Sequence, residues 1–159
     1  MTYAGARAAL DTRHARTGSG SAAALFGGAS ARPAVPGHVT QGRFGLHEWL
    51  LPPHGGLVAP HSHTLFSESF HVVFGTVQVY DGERWSPAPA GDFRHVPEGR
   101  DHGFRNDGDE PAAMLVLVMP GAPREAYFRE LAEISAAGRD LSDAEWDELW
   151  ERYVRVGAT

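Results

Sequence analysis

Between Ala23 and Gly121 each apolar run is about one strand long and ends in glycine or proline: AALFGG, GRFGLHEWLLPPHGG, SFHVVFGTVQVYDGERW, GDFRHVPEG and DHGFRNDGDEPAAMLVLVMPG. Proline withholds a backbone donor and glycine favours turns, so this punctuation rules out long helices here and points to an all-β sandwich or barrel. Asp81-Gly82, between two strand-like runs, predicts a two-residue hairpin loop, and NDGDEP offers a second tight connection. The run MLVLVM at 114–119 is apolar on both faces, which predicts a strand through the middle of the fold.

The flanks read differently. Residues 1–22 mix small, polar and arginine residues, end in a flexible TGSGS joint, and have room for a short helix over 5–15. The barrel is expected over 23–120 and a helical extension over 121–159. In that extension Tyr127, Leu131 and Ile134 fall at i, i+4 and i+7, with Phe128 beside them. Ser142 and Glu145 form a capping box ahead of Trp146, Leu149, Trp150, Tyr153 and Val154, which share one helical face. These aromatic residues read as packing groups, against the barrel or a second subunit.

Composition narrows the chemistry. Fourteen basic residues, all arginine, against twenty acidic ones leave a net charge of −6 without a basic cluster, so nucleic acid is not an expected partner. The chain has no cysteine, which removes disulfides, thiolate metal sites and cysteine nucleophiles. No run approaches the roughly 18 apolar residues of a membrane span, and the first residues lack the apolar stretch of a signal peptide, so a soluble, cytoplasmic protein is expected.

The segment APHSHTLFSESFHVVFG concentrates the polar chemistry. His61 and His63 are two apart and share a face of an extended chain. Glu68 follows after enough residues for the chain to turn, and His102 comes from a later segment behind the turn Pro97-Glu98-Gly99. Three imidazoles and a carboxylate suit one divalent first-row metal: iron, nickel, manganese, cobalt or zinc. Phe70 and Val72 share the parity of Glu68, and Phe104 and Asn106 that of His102, so these four are expected to build a mostly apolar substrate pocket. His71 has the opposite parity and reads as structural. His95, near Pro97, is either a proton-transfer group in the pocket or a packing histidine. His47 and Glu48 point opposite ways, and parity leaves open which one faces inward. Arg105 has the wrong parity for the pocket, which weighs against an anion site around Arg94, Arg100 and Arg105. His14, His38 and His54 are expected on the surface.

The spacing extends beyond the ligands. Gly55, His61, His63, Glu68 and Gly75 form one pattern, and Gly91, Pro97, Gly99, His102 and Asn106 a second; Asn106 is the only asparagine in the chain. Together they resemble the two motifs of the cupins. That resemblance implies a cupin jelly-roll barrel with the metal inside. PGAPREAYFREL is similar to the end of bacterial single-domain cupins related to quercetin dioxygenases, although it lies far from the chemistry. The implied activity is a dioxygenase using O2 on a small aromatic or enol substrate, with Glu68 both ligating metal and accepting the substrate's proton. Two alternatives stand beside it: a non-oxidative polyketide cyclase or isomerase with His95 as shuttle, and a metal-dependent small-molecule binding protein. Barrels of this family often pair, so a homodimer is expected.

Overall fold

The computed structural model describes residues 22–121 and 124–155; the expected helix over 5–15, and His14, lie outside them. The central strand is the one read from MLVLVM. Ten strands form two antiparallel sheets: β1 (Ala23–Ala24), β2 (Ser30–Val35), β3 (Gly45–Leu51), β4 (Gly55–His61), β5 (Ser67–Phe74), β6 (Thr76–Tyr80), β7 (Trp85–Pro89), β8 (Phe93–Val96), β9 (His102–Asn106) and β10 (Ala112–Met119). Their spatial orders are β1-β2-β3-β10-β5-β8 and β4-β9-β6-β7. β10 therefore lies inside the larger sheet, between β3 and β5, with Met114, Val116 and Val118 buried in the core and Leu115 and Leu117 half-buried on the other face.

The inward faces of the two sheets meet in one core. Leu51, Phe70, Val72, Val77, Met114 and Val118 are buried almost completely, and such side chains stabilise a fold by roughly 1.5–3 kcal/mol each. Strand parity sets the inward row: Glu68 pairs with Val118, and Phe70 and His47 both pair with Val116. The expected two-residue hairpin is longer. Tyr80 pairs with Trp85, leaving four loop residues, because Asp81 Oδ1 accepts hydrogen bonds from the amides of Glu83 and Arg84 and stabilises the wider turn.

Two helices follow, α1 (Glu125–Ala136) and α2 (Asp143–Arg155). The capping box is present: Glu145 accepts from Ser142 N and Oγ, both at 2.9 Å. Tyr127, Phe128, Leu131 and Leu149 are buried with the barrel core, and Trp146 packs edge-on against Phe26 at 5.7 Å. A Cβ added to Gly121 would stand 2.7 Å from the Phe44 carbonyl carbon, and one on Gly37 would stand 2.9 Å from Gly121 O. Only glycines permit this crossing, which carries the chain from β10 back over the barrel mouth towards α1. No helix among the described residues is long and apolar enough to cross a membrane.

Candidate metal centre

The four expected ligands come together across the two sheets. His61 and His102 are direct partners on β4 and β9 of the smaller sheet. Glu68 projects from β5 of the larger one, and His63 hangs from the loop between β4 and β5. That loop is tied to the turn before β9: Gly99 N donates to His63 O at 2.7 Å, with Gly99 at φ 77°, a conformation that favours glycine. One ligand atom from each residue lies within 4.8 Å of all the others.

The atoms that converge are the ones a metal needs. His61 Nδ1 lies 2.8 Å from Ala59 O, and His102 Nδ1 lies 3.0 Å from Arg100 O. Each Nδ1–H therefore donates to a carbonyl and leaves the Nε2 lone pair aimed inward, the usual way a protein orients a ligating imidazole. His61 Nε2 is 3.2 Å from His63 Nε2, and His102 Nε2 is 3.0 Å from Glu68 Oε2. Bonds of about 2.1 Å put neighbouring ligands of an octahedral ion about 3 Å apart. The donor set fits one divalent metal.

Electrostatics favour the same state. Burial pushes His61 down to about 4 and His63 down to about 2, so both imidazoles are neutral, as ligation requires. Burial alone would raise the Glu68 carboxyl, but the Arg124 guanidinium outweighs it and holds the group well below the usual carboxylate range. A carboxylate held this way is a weak base, so the geometry suits Glu68 as a ligand better than as a proton acceptor.

Arg124 is a member of this site that the sequence reading did not single out. It is buried at the N-cap of α1, and its Nη2 donates to Glu68 Oε1 at 2.9 Å and to His63 Nε2 at 3.2 Å. Its guanidinium lies over the Phe66 ring at 4.5 Å. Nothing in the local sequence marks it, because it acts 56 residues away from Glu68 through the Gly37–Gly121 crossing.

The site opens on a cavity of about 600 Å³ between the barrel and the two helices. Trp49, Phe104, Val116, Phe128, Leu131 and Trp146 supply much of its apolar wall, while His47, His61, Glu68 and Arg124 supply polar groups. His47 is thereby the inward member of the pair left open, and Glu48 pairs with Arg32 at 2.6 Å instead.

Of the expected pocket residues, Phe104 lines the cavity, while Phe70 and Val72 are core residues outside its wall. Asn106 is also outside it. Its Nδ2 donates to Pro52 O at 3.0 Å and Glu110 O at 2.8 Å, and its Oδ1 accepts from Gly108 N at 2.9 Å. Parity turned Asn106 inward, but at the barrel's end it meets turn backbone rather than a ligand space.

His95 is exposed, lies outside the cavity wall, and hydrogen bonds Ser69 Oγ at 2.9 Å. The reason is cross-strand register: His95 pairs with Ser69, the neighbour of Glu68 on the opposite face of β5. His71 is likewise exposed, as parity predicts.

Fold and site together define a small double-sheet β-barrel with, among the described residues, one His₃Glu cluster able to hold a metal ion, in which His63, Glu68 and His102 are buried and His61 is half-buried. Residues 47–118 match the cupin domain family. Similar solved structures include a predicted oxalate decarboxylase from Thermotoga maritima, 18% identical over 67% of this chain and 98% of that chain, with a TM-score of 0.62. The polyketide cyclase RemF from Streptomyces resistomycificus is 22% identical over 69% and 80%, with a TM-score of 0.57. An RmlC-like cupin from Shewanella frigidimarina is 18% identical over 69% and 89%, with a TM-score of 0.56. At these identities the likeness is one of fold. No curated protein matches the chain. The domain match and the shared fold support the cupin superfamily.

Proposed function

We propose that the protein is a mononuclear metal-dependent enzyme, a dioxygenase acting on a small aromatic or enol-type substrate. The observation that carries this reading is the convergence of His61, His63, Glu68 and His102 beside a largely apolar cavity whose wall includes His61 and Glu68. Bound there, a divalent metal supplies Lewis acidity towards a substrate oxygen and, for a redox-active ion, electron transfer to O2. The aromatic walls take up the substrate's body and exclude water. His61, His63, Glu68 and His102 hold the ion, and the backbone carbonyls of Ala59 and Arg100 fix the tautomers of His61 and His102.

The non-oxidative reading, a cyclase or isomerase, needs a proton carrier inside the cavity. His95 does not serve, since it faces the opposite side of the sheet. His47 lines the cavity and is kept neutral by burial, so it is the group on which that second reading rests.

Metal analysis of protein purified without chelator tests the centre, with about one equivalent of a divalent transition metal per chain expected. A protein that stays metal-free after reconstitution contradicts it. Oxygen uptake during turnover of a hydroxylated aromatic panel tests the reaction class, and turnover under strict anaerobiosis favours the non-oxidative reading instead.

A further inference from the structure

We infer that Arg124 forms an acid-recognition station in the cavity, so that the substrate is an aromatic or enolic carboxylic acid whose carboxylate meets this guanidinium. This deepens the proposed function and rests on its reading of the cavity as a substrate site.

A guanidinium has five N–H donors in a planar fork. Arg124 commits only Nη2, to Glu68 Oε1 and His63 Nε2. Nε and Nη1 have no hydrogen bond among the described residues, and Arg124 lines the cavity. Phe66 at 4.5 Å and Tyr127 at 5.5 Å hold the guanidinium by its faces, which fixes its plane and leaves an edge to offer. A carboxylate is the group that answers such an edge with two hydrogen bonds.

His47 lines the same cavity, with its ring 5.1 Å from Phe128, but its Nδ1 is sealed inside the protein and offers no contact to a ligand seated there.

The charge count points the same way. Glu68 and Arg124 cancel, and a divalent ion bound by neutral imidazoles would leave two positive charges beside a largely apolar cavity. Buried charge of that kind is stabilised by an anion. Asp147, the other charged residue of the wall, is exposed. Trp49, Phe104, Phe128 and Trp146 call for an aromatic body behind the acid group.

The test is binding rather than turnover. Isothermal titration of 1-hydroxy-2-naphthoate and its neutral primary amide is run on chelated and on zinc-loaded protein, with zinc content measured separately. Wild type should prefer the acid by about tenfold or more. Arg124→Met should lose that preference, acid binding falling about tenfold further than amide binding, so that the amide controls for the loss of the Glu68 and His63 contacts. Arg124→Lys, which keeps the charge without the fork, should weaken acid binding and not amide binding; it decides the matter if Arg124→Met fails to fold. Equal wild-type affinity for acid and amide, binding of neither, or a preference that survives both substitutions would overturn the inference. A chelated protein that prefers the acid but takes up no zinc leaves the station standing and contradicts the metal centre.

Discussion

Replacing Asn106 by alanine should cost stability and leave the metal centre intact. The side chain is 2% exposed and makes three good hydrogen bonds, to Pro52 O, Glu110 O and Gly108 N. A fourth contact, to Leu51 O at 3.4 Å, is too long to count for much. At roughly 1 kcal/mol net per bond, with a further penalty for backbone groups left unpaired, the loss comes to about 3 kcal/mol. In a domain of this size that lowers Tm by roughly 10 °C. Urea unfolding at pH 7 with an unchanged m-value measures it, and zinc uptake at low denaturant checks the site. A loss below about 1 kcal/mol, or impaired zinc binding in a protein that remains stable, would refute the assignment of Asn106 to the turns.

Further outcomes follow from the same geometry. Glu68→Ala and His102→Ala should each reduce metal retention by an order of magnitude or more, whereas His71→Ala and His95→Ala, on the opposite strand faces, should leave it unchanged; metal analysis after gel filtration distinguishes them. Burial, reinforced by the Arg124 charge, pushes His47 down to about 4, while the unfolded chain takes up that proton near 6.5. The unfolded state therefore binds more protons between those values, and stability should fall as pH drops from about 6.5 to 4, by about 3 kcal/mol for His47 alone. Urea titrations of chelated protein at pH 7 and pH 4.5 read this, and a His47→Phe protein should show a shallower fall. Ser142→Ala should destabilise by about 1 kcal/mol by removing the α2 cap, without altering metal binding.

Some of this was legible along the chain and some was not, for physical reasons. His61, His63, Glu68 and His102 could be grouped because the spacings between strands and turns constrain where short extended segments return. The central position of β10 followed from Leu115 and Leu117, apolar residues on the face that a half-exposed strand would have kept polar. Parity alone could not choose between His47 and Glu48, because a single strand carries no mark of which side the second sheet covers. His95 needed one more step: its partner is Ser69 rather than Glu68, a matter of register between strands far apart in sequence. Arg124 was hidden for a different reason. It follows the barrel and returns to it only through a glycine crossing whose backbone contacts leave no periodic signature.

The hydrogen bond from Gly99 N to His63 O has a use in solution. It joins the loop that bears one ligand to the turn that delivers another, so its amide proton can exchange only when those two pieces of backbone part. A single NMR resonance would then report how often the halves of the centre separate, before any substrate is known and with no spectroscopic metal required. Slow exchange at Gly99 in the chelated protein would mean that the ligands are held in place by the fold, waiting for their ion rather than assembled by it.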